Sequence, residues 1–164
     1  LEKAGKYYLE ILSLSAKYQE DALELAQNLL IKGSRRLSLE IFSKVLARSK
    51  KQNMVREIII DKCLAHGEIQ YPQALLEQTI KENPSNYEMI YKAGLLYREA
   101  GDWEKALTYF INVDRHIRGH VEAKLQIAKI YYMNQKILKA DDYLNQILRI
   151  DARNEEAIAL RREI

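Results

Sequence analysis

NPSNYEMIYKAGLLYREAGDWEKALTYFINVDRHIRGH, residues 83–120, reads as turn, helix, turn, helix, turn. Asn83-Pro84-Ser85-Asn86 is a turn that ends on a good helix cap. From Tyr87 to Ala100 the apolar residues Ile90, Ala93, Gly94 and Tyr97 recur at helical spacing. Gly101 suits the C-terminal side of that helix, and Asp102 suits the N-cap of the next. Trp103 to Ile117 then carries Ala106, Tyr109, Phe110 and Val113 along one face, and Arg118-Gly119-His120 closes the unit.

The unit recurs. Rows of 34 residues written from Gln19 put Phe42, Leu76, Phe110 and Leu144 in one column, with Tyr8 one row earlier. Gly33, Gly67 and Gly101 share another column. A fixed period of this length marks a stacked solenoid of helix pairs. The full rows are 19–52, 53–86, 87–120 and 121–154. Residues 1–18 match the second half of a row, with Ala4, Tyr8, Ile11 and Leu12 in the columns of Ala106, Phe110, Val113 and Asp114. Residues 155–164 match the first half, and Glu155, Glu156, Arg161, Arg162 and Glu163 make it a polar capping helix. The expectation is one all-α solenoid over 1–164, about four full repeats with a half repeat at each end. A start inside a repeat, at Leu1 and not Met, reads as a fragment of a longer array.

Composition agrees with helices. The chain has 164 residues, 48% hydrophobic and 30% charged, with two prolines and six glycines. Strand-like alternation is absent, and no apolar run reaches the roughly 20 residues that a bilayer needs. The net charge of +3, from 26 basic and 23 acidic residues, is too balanced to point to nucleic acid. The single cysteine, Cys63, excludes an internal disulfide and makes no zinc site. No cofactor is expected, and the compartment is not written in the residues.

These columns resemble the tetratricopeptide repeat: a small residue and a Tyr-like residue in the first helix, Gly at the turn, then small, aromatic and small residues in the second helix. Row three carries the pattern as Gly94, Tyr97, Gly101, Ala106 and Phe110; row four as Ala128, Tyr131, Ala140 and Leu144; row one as Ala26, Leu29, Gly33, Ser38 and Phe42. The resemblance covers essentially the whole chain. It implies a right-handed superhelical solenoid of antiparallel helix pairs, in which the small columns let paired helices approach and Phe42 and Phe110 fill the space between them.

Row two departs from the pattern. Ile60 stands where a small residue is expected, and Pro72 stands where Ala is expected. Because Pro fits only the first turn of a helix, the second helix of that row is predicted to start at Pro72, after a long turn from Gly67 to Tyr71. Gln135 replaces the turn glycine in row four. The late column Ile11, Val45, Thr79, Val113, Ile147 is larger than the family's Ala, which makes row two the place for a bend.

By the same resemblance, the free stripe of each first helix lines a concave groove. The candidate contact residues are Leu23, Gln27 and Leu30; Glu57 and Asp61; Tyr91, Leu95 and Arg98; and Leu125, Lys129 and Tyr132, with Met133 and Ile31 beside them. Family members that hold chaperone C-terminal carboxylates use a Lys/Asn/Arg clamp here. The corresponding column, Leu23, Glu57, Tyr91 and Leu125, has no Lys, so that role is excluded. The groove suits an amphipathic helix or extended segment with apolar anchors. Tyr91→Ala with Leu125→Ala is expected to abolish capture and to spare the fold. A second copy of the chain, or another part of the same protein, would be alternative cover for the groove.

Other features read more plainly. His116 and His120 lack a third ligand for zinc. His66 beside Gly67 reads as a C-terminal cap, and Cys63 as a small core residue. Lys32, Arg35, Arg36, Lys44, Arg48, Lys50, Lys51 and Arg56 form a basic run that contains only Glu40, placed mainly on an outer helix and its turn. No catalytic constellation is visible. The expected function is a non-catalytic scaffold or adaptor that binds a protein segment. The alternatives are a substrate-docking arm of a larger enzyme and, behind it, an RNA-associated helical repeat.

Overall fold

The computed structural model describes the backbone of residues 2–14 and 18–164, and the side chains of 3–10 and 18–164. The columns assigned to Ile11 and Leu12 fall outside the described side chains. The helices are α1 Glu2–Leu14, α2 Gln19–Ile31, α3 Arg35–Arg48, α4 Gln52–Leu64, α5 Gln70–Glu82, α6 Tyr87–Glu99, α7 Trp103–His116, α8 Val121–Met133, α9 Ile137–Ile150 and α10 Glu155–Glu163. No strand occurs among the described residues. The helices divide into two compact units, 1–82 and 83–164, with the boundary at the end of row two.

In unit 2 the sequence pattern becomes structure directly. Asn86 accepts the Met89 N–H, Asp102 the Lys105 N–H, His120 the Ala123 N–H and Asn154 the Ala157 N–H, so four helices begin on a side-chain cap. Gly101 follows α6 at φ +78° and turns the chain into α7. Gly94 faces the Phe110 ring so closely that a Cβ there would lie 2.5 Å from Cε1. The fully buried Phe110 therefore occupies space that only a glycine on α6 can leave. Ala128 on α8 and Ala140 on α9 play the small-residue part in the next pair, both fully buried. Gln135 takes φ +57° in the column of the glycines. A side chain in this left-handed conformation costs roughly 1–2 kcal/mol, which the surrounding turn holds in place.

Two aromatic arrangements repeat in register. Tyr97 stacks on Tyr109 with ring centroids 5.4 Å apart, and Lys105 Nζ lies 5.0 Å from the Tyr97 ring. One row on, Tyr131 meets Tyr143 at 6.0 Å, and Lys139 Nζ lies 5.4 Å from Tyr131. Lys124 is buried on α8, yet its Nζ reaches Asp114 at 2.6 Å and Gln146 at 2.7 Å, so its charge is paired across α7, α8 and α9.

Unit 1 is held differently. The turn between α4 and α5 runs over residues 65–69, against 32–34 between α2 and α3. Glu68 organises it. Its carboxylate is 7% exposed, accepts two bonds from the Arg35 guanidinium of α3, and accepts the Tyr71 N–H at the start of α5. The hydrogen bonds from Arg35 hold the Glu68 carboxyl below the ordinary glutamate value, against the opposing effect of burial. The second helix of row two therefore begins at Gln70, two residues before the expected Pro72. Pro72 sits in the first turn, where a backbone N–H would have no intrahelical acceptor. Arg56, expected as part of a basic surface, is 6% exposed and pairs with Glu82 between α4 and α5. Ile60 is fully buried in the small-residue column, and α4 and α5 pack less extensively than α6 with α7. Cys63 is in the core, and burial pushes its thiol up to about 12.

Candidate partner-binding face

The stripe expected to line a groove lies on α2, α4, α6 and α8. Two of its residues belong to the core. Leu23 is 5% exposed and Leu125 is 6% exposed. Leu125 packs with Ala128, Leu144, Ile147, Ala157 and Leu160, because α10 closes over this part of α8. Truncation of Leu125 to Ala is therefore a fold-damaging change, about 2–5 kcal/mol for a buried leucine, and the expected pairing with Tyr91→Ala does not isolate binding. A sequence column shows that a residue leaves the pair's own interface; it does not show that the next helix covers it.

The other residues of the stripe stay partly or fully accessible. Gln27, Leu30, Glu57, Tyr91, Leu95, Arg98, Lys129 and Tyr132 are half-buried, and Asp61 is exposed. Beside them Ile31 is 55% and Met133 59% exposed. Several polar members bridge neighbouring first helices. In unit 1, Lys62 Nζ of α4 donates to Gln27 Oε1 of α2, and Gln27 Nε2 lies 3.1 Å from His66 Nε2. The His66 side chain thus joins α2, and only its backbone N–H closes the end of α4, on the Cys63 carbonyl. In unit 2, Arg98 Nη1 donates to Gln126 Oε1 at 2.7 Å, and Lys129 Nζ pairs with Glu156 at 2.6 Å. The faces of α6, α8 and α10 are thereby joined into one surface within unit 2.

Tyr91 sits in the middle of that surface. Its ring lies 5.5 Å from Phe110 and 4.9 Å from His120. Burial pushes its hydroxyl above the ordinary tyrosine value, and the Glu122 carboxylate acts in the same direction. The ring is thus held against Phe110 and His120 and remains half-buried. His120 was missed as a member of this surface, although its column was informative: Asn86, His120 and Asn154 lie 34 residues apart and cap successive first helices. Gln126 and Glu156 carried no such signal, since they act only through the helix that packs beside them.

His116 does not approach a metal site. It stacks on Tyr87 at 4.8 Å, and its Nδ1 lies 2.8 Å from the Asn112 carbonyl oxygen. Among the described residues no group of three or more His, Cys, Asp or Glu is placed to hold a metal ion, and no helix is long and apolar enough to cross a membrane.

Residues 97–164 match the tetratricopeptide repeat family model. No curated protein matches the chain in sequence. Solved structures match it in fold. The protein YrrB, described as a TPR protein with an unusual peptide-binding site, superposes with a TM-score of 0.72 at 17% identity, over 98% of this chain and 83% of its own. MamA superposes at 0.67 with 20% identity, over 92% and 88%. Pseudomonas aeruginosa PilF superposes at 0.65 with 16% identity, over 96% and 78%. Residues 97–164 thus match the tetratricopeptide repeat in sequence, and nearly the whole chain shares the fold of solved tetratricopeptide repeat structures.

Proposed function

We propose that this chain is a non-catalytic adaptor that holds a segment of another protein against its first-helix face. The observation that carries the reading is the surface of unit 2. There Tyr91, Leu95 and Tyr132 offer apolar contact, and Arg98 and Lys129 stand among them, already oriented by Gln126 and Glu156. Pre-ordered side chains lower the entropic cost of binding, and half-buried aromatics with arginine are the residue types that dominate interface energy. The peptide-binding site of YrrB is consistent with this use of the fold. The face fits an amphipathic helix or extended segment with apolar anchors.

Leu95→Glu is the sharpest test, because Leu95 is partly exposed and not part of the buried core. Proteins captured by the wild-type chain and identified by mass spectrometry are expected to be lost from the variant, while its helical circular dichroism and melting temperature stay close to wild type. Retention of every captured protein would exclude this face as the binding site.

A further inference from the structure

A second feature lies in unit 1, where the turn between α3 and α4 meets α2. A cavity of about 380 Å³ opens there. Its floor is apolar: Leu23 and Val55 are nearly buried, Ile58 is half-buried, and Met54 stands 50% exposed at the edge. Its rim carries Arg48, Lys50 and Lys51, all exposed, and no ion pair engages any of the three among the described residues. Glu20 is the only carboxylate among the described residues of the lining. The rim has a fixed shape, because Ser49 is buried and its Oγ accepts the Lys51 N–H at 3.1 Å. A further depression, over Ser49 to Met54, continues the same edge.

We propose that this cavity receives a short acidic segment of a partner polypeptide that carries a large apolar side chain. The inference rests on the reading of the chain as a protein-segment binder and adds a second contact point with its own chemistry. The apolar side chain enters above Leu23, Val55 and Ile58, beside Met54, and the flanking carboxylates meet Arg48, Lys50 and Lys51. Charge complementarity selects the acidic partner and speeds its approach, and removal of apolar surface from water supplies a contribution that salt does not screen. The volume is in the range of ligand clefts. A nucleic-acid backbone would use the cations and leave the apolar floor uncovered. A bilayer surface is flat and would not enter the cavity.

The test is fluorescence anisotropy of the whole chain with labelled peptides. One carries Leu-Phe between acidic residues, a second has Ala-Ala in place of Leu-Phe, and a third has Lys in place of each acid. The first is expected to bind, the second about tenfold or more weakly, and the third not at all. K50E with K51E is expected to weaken the first peptide about tenfold or more, with unchanged helical circular dichroism, because both side chains are exposed. Met54→Glu should weaken it independently. Equal binding of the first two peptides, no binding of the first, or indifference to K50E with K51E would overturn the proposal. So would phosphatidylserine vesicles that bind the wild-type chain and compete the first peptide away. Leu95→Glu is the control. If it abolishes partner capture while K50E with K51E has no effect on either assay, the adaptor reading stands and this one falls.

Discussion

The second helix pair of unit 1 and the first helix pair of unit 2 solve the same packing problem in different ways. α6 and α7 are capped by Asn86 and Asp102, turned by Gly101 over residues 100–102, and closed by Phe110 against Gly94. Each of these contributions comes from residues within one repeat or, for Asn86, next to it. α4 begins on Lys51 without a side-chain cap, carries Ile60 in place of a small residue, and reaches α5 through a longer turn. Beyond its buried apolar residues, that pair is tied by Arg35 of the preceding repeat on Glu68 and by Arg56 on Glu82. Tyr18 and Ser34 likewise make no capping bond at α2 and α3. Both units carry charged contacts between helices, but the side-chain cap of the first helix and the small-residue fit of α6 and α7 have no counterpart in α4 and α5, where Glu68 and Arg35 order the turn instead. The family match over residues 97–164 falls within the locally consistent unit.

The largest expected effect comes from the core. Phe110→Ala removes a fully buried ring packed against a glycine that cannot fill the gap, and should cost about 3–5 kcal/mol. Hydrogen exchange should show the loss of protection concentrated in α6, α7 and α8. An equal loss in α2 and α3 would break the distinction between the units.

Glu68→Gln should come next. It weakens the charged bonds to Arg35 and should lower the melting temperature by a few degrees, with the exchange rates of α4 and α5 rising first. The pH dependence has a definite sign. The Glu68 carboxyl is held below its unfolded value, so its stabilisation is complete above the ordinary glutamate range and is lost as pH falls through the depressed folded value. The variant should therefore show a shallower fall in melting temperature on acidification. An unchanged slope would mean that the ion pair does not organise the turn.

Asn86→Ala tests the opposite mode of stabilisation. Loss of the bond to the Met89 N–H should cost about 1 kcal/mol and fray the start of α6. Denaturant titration would read it, and a value near zero would remove capping from the account of unit 2. The smallest change should be a gain. Gln135→Gly relieves a left-handed side chain and should stabilise unit 2 by roughly 1 kcal/mol or less, since the unfolded chain also gains freedom.

Much of this molecule can be read from one row of sequence. The helices of rows one, three and four, the cap at Asn86, the turn at Gly101 and the buried partnership of Gly94 with Phe110 follow from 34-residue columns, because each depends on neighbours within a repeat. The stacked Tyr97–Tyr109 pair and the tilted Tyr131–Tyr143 pair share a register of 34 residues, but their contacts are not legible in the sequence. The candidate face was legible as a stripe but not as a surface. Which of its residues stay accessible depends on the helix that packs next, and that contact has no period. Leu125 and Leu23 share a column with Tyr91 and Glu57, yet the first two are core and the last two are half-exposed. Arg56 and Arg35 read as solvated cations until Glu82 and Glu68 are seen beside them, 26 and 33 residues away in sequence. Helical periodicity is a local property, written once per turn. Burial and charge pairing are settled by residues brought together across the fold, and no short stretch of this chain carries that information.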